Sequence, residues 1–417
     1  MKNKSKHTKE LTEHFFRNEY GKIVSVLTKY VGPDNVQTAE DIVQETLLKA
    51  TDYWELNGIP KNPQAWLYTT AKNTALNILK REKHKNDYIT ETKKELENLE
   101  NFQFSDEQIL DEQLKMMFVC CHSSISENSQ IALILKILCG FSITEIANSF
   151  FTSAETINKR LVRGRKQLRE NRVSFELPNN INENLSIVLK TIYLLFNEGY
   201  NPSQKNELIR YDLCLEAIRL AEILINNPSI DEKSDCYALL ALMYLNASRF
   251  EARMSKDGEI VEMENQNRAK WNKELITKGI QYLEQSKNNK ISLYLILATI
   301  SANHCIAKNF EETNWNEILS LYDSLILLED SPITRLNRSV ALAKVKGNKE
   351  AIKELLNLES NSDIGKHYLF QTTLAEFYSL ENKTEKAGIR FKKALSLADN
   401  ERDAEFIKKK LFEVVPI

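Results

Sequence analysis

Two helix starts lie ten positions apart in SITEIANSFFTSAETINKRLVRGRKQL, residues 142–168. At Ser142, and again at Thr152, a hydroxyl stands three residues before a carboxylate, Glu145 and Glu155. At that spacing the hydroxyl accepts from the third helical N–H and the carboxylate reaches back to the cap. Starts so close together leave room only for a short first helix and a tight turn near Phe151 and Ser153. Phe150 and Phe151 stand where many helix-turn-helix turns carry Gly, so this turn is expected to form without a positive φ or with its geometry slightly altered. On the second helix Ile157, Leu161 and Leu168 fall on the inward face, leaving Glu155, Thr156, Asn158, Lys159, Arg160 and Arg163 to project. The first turns of such a helix suit base edges in a major groove, and later Arg and Lys suit phosphates.

A chain of 417 residues with 42% hydrophobic content but only 11 Gly and 8 Pro can bury a large core and divide into domains. With abundant Leu, Ile, Ala, Glu and Lys, the expected fold class is all-α. The formal net charge of −2 makes the molecule no polycation, so any nucleic-acid binding has to be local. The basic opening MKNKSKHTKELTEH lacks an apolar segment, and nowhere do about 18 uncharged apolar residues run together, so neither signal peptide nor membrane span is expected. The six cysteines show no C-x-x-C pairs, which fits a reducing compartment and a cytoplasmic location. Cys120-Cys121-His122 invites a metal, but neighbours on a helix point about 100° apart, and buried packing is the expectation.

Along the chain, residues 10–85 read as helical. In AEDIVQETLLKATDYW, Ile42, Val43, Leu47 and Ala50 make one apolar stripe; NGIPKNP stops that helix, and Pro63 suits the first position of the next. QAWLYTTAKNTALNILKREKHK is read as burying Ala65, Leu67, Ala71, Leu76 and Leu79 while showing Lys72, Asn73, Asn77, Lys80 and Arg81. Trp54, Trp66 and Tyr68 around this basic helix suit stacking of single-stranded bases, although aromatics at helical spacing also serve as core. An acidic stretch from Asp87 to Glu112 reads as a linker. After a second helical module, FELPNNINEN marks another boundary, and paired helices follow from Leu185. Leu374, Ala375, Tyr378, Ala387, Phe391 and Ala394 fit a tetratricopeptide pattern, and Ala341 lies 34 positions before Ala375.

These blocks resemble an extracytoplasmic-function sigma factor of bacterial RNA polymerase. AEDIVQETLLKA resembles its polymerase-binding helix of region 2, NPQAWLYTTAKNTALNILKRE its −10 element, and residues 142–168 its region 4 helix-turn-helix for the −35 element. The remainder resembles the long C-terminal extension of a subgroup ending in tetratricopeptide-like repeats. The resemblance implies a region 2 domain at 8–86, an acidic linker at 87–110, a region 4 domain at 111–173 and a helical-repeat extension at 183–417. It implies core RNA polymerase and promoter DNA as partners, duplex at −35 and a melted strand at −10. Asp41, Gln44 and Glu45 would meet the polymerase. The loop from Asn57 to Asn62, with Lys61, would hold a flipped base, and Trp66, Lys72, Asn73, Asn77, Lys80 and Arg81 would hold the strand. Glu155, Thr156, Lys159 and Arg160 would read −35 bases, with Arg163, Arg165 and Lys166 on the backbone.

The extension carries two polar clusters, Asn197-Glu198-Gly199-Tyr200 and the segment around Asp257-Gly258, Glu262 and Glu264. With no nucleophile, phosphate-cradling loop or ligand spacing beside them, no catalytic residue, metal or cofactor is expected. They read as caps and a salt-linked loop, or as a docking surface, either against the first two modules or for a protein or peptide partner. The rival reading is a free-standing helix-turn-helix regulator sensing a peptide or protein on its repeats, which would need no polymerase-binding helix.

Overall fold

The computed structural model describes residues 2–85, 99, 104–150, 152–178, 180–202, 209–255, 260–288, 290–361, 363–398 and 401–414. Most of the acidic linker, Phe151 and Asp257-Gly258 lie outside the described residues. Packing divides the chain into two units: Met1–Ser203 with Arg210–Glu232, and Gln204–Ile209 with Lys233–Ile417. The fold is all-α: among the described residues there is no strand, only an isolated antiparallel bridge between Met254 and Ile260. No helix among them is long and apolar enough to cross a membrane.

The first unit holds α1 (Lys2–Val31), α2 (Val36–Asn57), α3 (Pro63–Lys85), α4 (Asp106–Cys120), α5 (Glu127–Ile137), α6 (Ile143–Ser149), α7 (Ala154–Glu170), α8 (Asn182–Tyr200) and α9 (Tyr211–Asn226). Helix α1 packs against α2, α3 and α4, burying Ile23, Val24 and Leu27 completely. It also touches α5, and Gly21 explains how. A Cβ there would sit 1.9 Å from the Leu138 carbonyl oxygen, so only a glycine lets α1 rest on the chain at the end of α5.

Helices α8 and α9, which the sequence places at the start of the extension, pack within this first unit. Helix α8 lies on α5. The Gly199 carbonyl accepts from the Arg210 N–H at 2.7 Å, holding α9 against α8. The division by packing therefore falls after Glu232, beyond residue 183, where the resemblance starts the extension.

The second unit holds α10 (Ser234–Ala247), α11 (Lys273–Gln285), α12 (Leu293–Ile306), α13 (Trp315–Leu328), α14 (Pro332–Lys346), α15 (Asn348–Asn361), α16 (Tyr368–Leu380), α17 (Thr384–Leu397) and α18 (Glu401–Val414). Consecutive helices pack as neighbours. Leu374, Ala375 and Tyr378 of α16 meet Ala387, Phe391 and Ala394 of α17 in one core. Ala341 is buried in a separate core built from α12, α13 and α14.

Candidate polymerase and nucleic-acid interface

Helix α2 turns Ile42, Val43 and Ala50 inward, with Leu47 half-buried, and exposes Asp41, Gln44 and Glu45 on its other side. Glu45 pairs with Lys49 one turn on, at 2.6 Å, an exposed pair that solvent screens and a partner can displace. The helix ends where the Gly58 N–H bonds the Trp54 carbonyl at 2.9 Å, with Gly58 at φ +80°. In the loop that follows, Lys61 is exposed, while the Asn57 amide donates to the Tyr53 carbonyl at 3.0 Å. Asn62 Oδ1 accepts from the Ala65 N–H at 3.0 Å. Its side-chain oxygen therefore serves first as the cap of α3, and Pro63 fills the first helical position, where no N–H is needed.

On α3, Leu67, Ala71, Leu76 and Leu79 are buried, and Asn73, Asn77, Lys80 and Arg81 are exposed, with Lys72 half-buried. Ala65 departs from the expected pattern. It is exposed because it lies in the first turn, ahead of the residues that α3 buries.

The aromatic trio divides. Trp54 is core, its ring 5.3 Å from Phe16 and 6.1 Å from Phe15. Tyr68 is core as well: its hydroxyl donates to Glu19 Oε2 at 2.5 Å, and burial followed by the Glu19 charge pushes its pKa far up. These two are not bases' stacking partners in this arrangement. Trp66 stands edge-on to Trp54 at 5.8 Å and stacks on Tyr53 at 5.5 Å. Tyr53 is exposed, as are Leu56 and Ile59 in the same stretch. Ile59 lies in the loop from Asn57 to Asn62, whereas Tyr53 and Leu56 were not among the expected site residues; large apolar residues just ahead of the NGIPKNP turn were the available signal.

The short helix α6 begins with the expected box. Ser142 Oγ accepts from the Glu145 N–H at 3.2 Å, and Glu145 Oε2 accepts from the Ser142 N–H at 2.7 Å. The second start is displaced by one residue. Ser153, not Thr152, caps α7 through the Thr156 N–H at 3.2 Å. The Thr152 N–H instead closes the turn on the Ala147 carbonyl at 2.9 Å, which takes Thr152 out of capping position and leaves Glu155 without a reciprocal role. Phe150 turns the chain at φ −99°, without the left-handed conformation.

Helix α7 buries Ile157, Leu161, Gly164 and Leu168. A Cβ on Gly164 would come 2.7 Å from Leu133 Cδ1 of α5. On the outer side Glu155 and Lys159 pair at 2.7 Å, and Lys166 and Glu170 at 3.5 Å. Asn158 and Arg163 are exposed, and Thr156 is half-buried beneath its bond to Ser153. Arg160 lies over the Phe150 ring at 5.1 Å, its Nη1 buried without a hydrogen-bond partner among the described residues.

Arg165 does not stand open for a phosphate here. It holds Glu40 of α2 through Nε to Oε2 at 3.0 Å and Nη2 to Oε1 and Oε2 at 3.0 and 2.7 Å. The Tyr20 hydroxyl donates to the same carboxylate at 3.2 Å. One turn further, Arg169 Nε donates to the Asp34 carbonyl at 3.4 Å. Residues 165 and 169 share a helix face, and that face lies against the chain leading into α2.

A second buried carboxylate joins three segments. Glu145 Oε1 accepts from Arg17 of α1 at 2.9 Å and from Arg210 ahead of α9. Burial alone would raise its pKa, but the Arg17 charge and the Ser142 and Arg17 hydrogen bonds together hold it down to about 2.

Cys120 and Cys121 are fully buried, and burial pushes the Cys121 thiol up to about 12. His122 Nδ1 is 2.8 Å from Ser124 Oγ. Among the described residues no His, Cys, Asp or Glu group is arranged to hold a metal. In the second unit Glu262 is salt-linked to Lys410 at 2.7 Å and Glu264 to Lys344 at 3.8 Å.

Residues 15–85 match sigma-70 region 2, the stretch from the second half of α1 through α3. Residues 184–287 match a family of unknown function, DUF6596; this stretch begins in α8 and runs into the second unit, spanning the division by packing. An uncharacterized protein of Rhizobium meliloti (strain 1021) is 30% identical over 385 residues, which is 90% of either chain. No solved structure matches. The chain therefore belongs to one family with the Rhizobium protein, and the sigma-70 region 2 domain at its head indicates a sigma-factor-type role, binding RNA polymerase to initiate transcription.

Proposed function

We propose that this protein is a sigma factor of the extracytoplasmic-function type, with a C-terminal helical extension that docks a partner or regulates the sigma core. The observation that carries the reading is the order of parts. A sigma-70 region 2 match is followed in the chain by a capped two-helix unit whose second helix has an exposed basic face.

In this reading Asp41, Gln44 and Glu45 meet core polymerase from the exposed side of α2. Tyr53 and Trp66, with Lys72, Asn73, Asn77, Lys80 and Arg81, hold the melted −10 strand. Unstacking a base costs a few kcal/mol, which stacking on the exposed Tyr53 and the half-buried Trp66 offsets by about 1–3 kcal/mol per base. Glu155, Thr156, Lys159 and Arg160 read −35 bases, and Arg163 and Lys166 contact phosphates. Arg165 joins them only after its ion pair with Glu40 opens. The protein recruits and positions; the polymerase performs the chemistry.

Reconstitution with core polymerase tests this. Promoter-dependent initiation supports the reading, whereas duplex binding without polymerase association overturns it in favour of a free-standing regulator. For the extension, the informative cut falls after Glu232, since a cut near Pro178 would strip α8 and α9 from the first unit. Unchanged promoter activity and unchanged regulation after that cut would remove the docking or regulatory role.

A further inference from the structure

The second unit carries a cavity of about 300 Å³ bounded by the first turns of α11, the end of α12 with the chain after it, and the short helical turn Arg268–Lys270. Its charged lining is all of one sign: Arg268, Lys273 and Lys308 contribute to the wall, and no carboxylate does. The chain's own acids leave these charges unmet, since among the described residues none of the three cations forms a salt bridge. The Glu311 charge acts on Arg268 only from beyond ion-pair distance.

Arg268 makes this more than a pair of surface lysines. Its Nη1 donates to the His304 and Ala307 carbonyls at 2.6 and 2.8 Å, and its guanidinium lies over the Trp271 ring at 4.5 Å, so it is fixed in the wall. Its Nη2 is buried with no hydrogen-bond partner among the described residues, and so is Trp271 Nε1. A buried donor without an acceptor is costly, and both donors belong to residues that line this one space. Burial weighs against the charged form of Arg268, and the Arg249 charge adds to that; a cation so placed is stabilised by an anion beside it. The positive end of the α11 dipole lies at the same wall.

We propose that this cavity binds the phosphate group of a small phosphate ester. The head lies between Arg268, Lys273 and Lys308, with Arg268 Nη2 and Trp271 Nε1 turning toward its oxygens, and the organic part covers Ile276 and Ala307. A carboxylate would bring one charge and two oxygens to these cations, whereas a phosphate monoester brings close to two charges and three acceptor oxygens. The volume stands at the lower end of the range of about 300–1,000 Å³ usual for small-molecule sites, which suits a phosphate with a short organic part. The site does not depend on the sigma-factor reading; it adds a small-molecule ligand to the extension.

The test uses the full chain with 5-fluorotryptophan at its four tryptophans, the Trp271 resonance being identified by its loss in Trp271→Phe. Inorganic phosphate, glycerol 3-phosphate, dimethyl phosphate and acetate are titrated at constant ionic strength and about pH 7.5, where a phosphate monoester is mainly a dianion. The expected result is a saturable shift of Trp271 with inorganic phosphate, with a dissociation constant of about 1 mM, and binding at least as tight with glycerol 3-phosphate. Acetate and dimethyl phosphate, each a monoanion, should bind about tenfold more weakly. Lys273→Gln with Lys308→Gln, two exposed positions, should weaken phosphate about tenfold.

No movement of Trp271 at about 20 mM of either phosphate overturns the proposal, as does unchanged affinity in the double lysine variant. Acetate binding as well as phosphate would make this a carboxylate site, and dimethyl phosphate binding as well would make it a phosphodiester site; either overturns the assignment. So does a shift with inorganic phosphate that glycerol 3-phosphate fails to produce, which would leave room for the free ion alone. Promoter-dependent initiation is read separately, so failure here leaves the sigma-factor reading untouched.

Discussion

Glu145→Gln perturbs the buried carboxylate that joins α1, α6 and the segment before α9, and its cost follows from the structure. The wild-type carboxyl titrates at about 2, against an ordinary 4.5, and its side chain is only 2% exposed. At about 1.36 kcal/mol per pK unit, the charged form contributes about 3 kcal/mol to stability at pH 7. Because the folded value lies below the unfolded one, that contribution is complete above pH 4.5. It is lost as pH falls through 4.5 toward 2, with about 1.4 kcal/mol remaining at pH 3. Gln keeps an acceptor for the Ser142 N–H but leaves Arg17 and Arg210 facing a neutral group. The expected cost is about 3 kcal/mol at pH 7, less than half of that at pH 3. Urea unfolding of the first unit reports it, followed through Trp54 and Trp66 in a chain carrying Trp271→Phe and Trp315→Phe. A cost independent of pH between 7 and 3 would refute the reasoning, since it would place the effect in packing or the cap and not in the charge.

Arg165→Met should cost about 3–5 kcal/mol by leaving Glu40 buried without its guanidinium partner, and Glu40→Met should restore much of that loss in the double variant; hydrogen exchange of α7 amides measures both, and additive costs would sink the ion pair as the clasp between α7 and α2. Gly21→Ala forces a methyl into the Leu138 carbonyl, where no flexible side chain can yield. It should destabilise the first unit by about 3 kcal/mol or more, and an unfolding midpoint like wild type would show that α1 can shift off this contact. Arg160→Ala should weaken use of a −35-dependent promoter by about 1–3 kcal/mol; an unchanged promoter profile would assign Arg160 to its stacking on Phe150 alone. Tyr53→Ala should slow strand opening on a reconstituted promoter without changing polymerase affinity, measured by permanganate reactivity of the melted strand, and equal loss of both would place Tyr53 in the polymerase contact instead.

What the chain's order of residues decided is local. Stripes such as Ile42, Val43 and Ala50 repeat with the helical period, and the Ser142–Glu145 box spans four positions, so both can be read without knowing what lies across from them. The same locality explains the miss at Thr152: of two adjacent hydroxyls only Thr152 stands three residues before a carboxylate, yet the turn's bond from the Thr152 N–H to the Ala147 carbonyl left Ser153 to cap the helix. Side-chain fate across the fold was not legible. Trp54, Trp66 and Tyr68 look alike in the sequence, yet Phe15, Phe16 and Glu19, contributed by α1, bury two of them and leave Trp66 beside Tyr53. Arg165 reads as one more base on a basic helix, but its partner Glu40 lies 125 positions away. Whether a charge meets solvent, phosphate or a buried carboxylate depends on which elements pack together, and tertiary packing alone decides that. The seam between the units shows the same thing. Composition changes near Pro178, but contacts of α8 with α5, and of Arg210 with Glu145, carry the first unit on to Glu232.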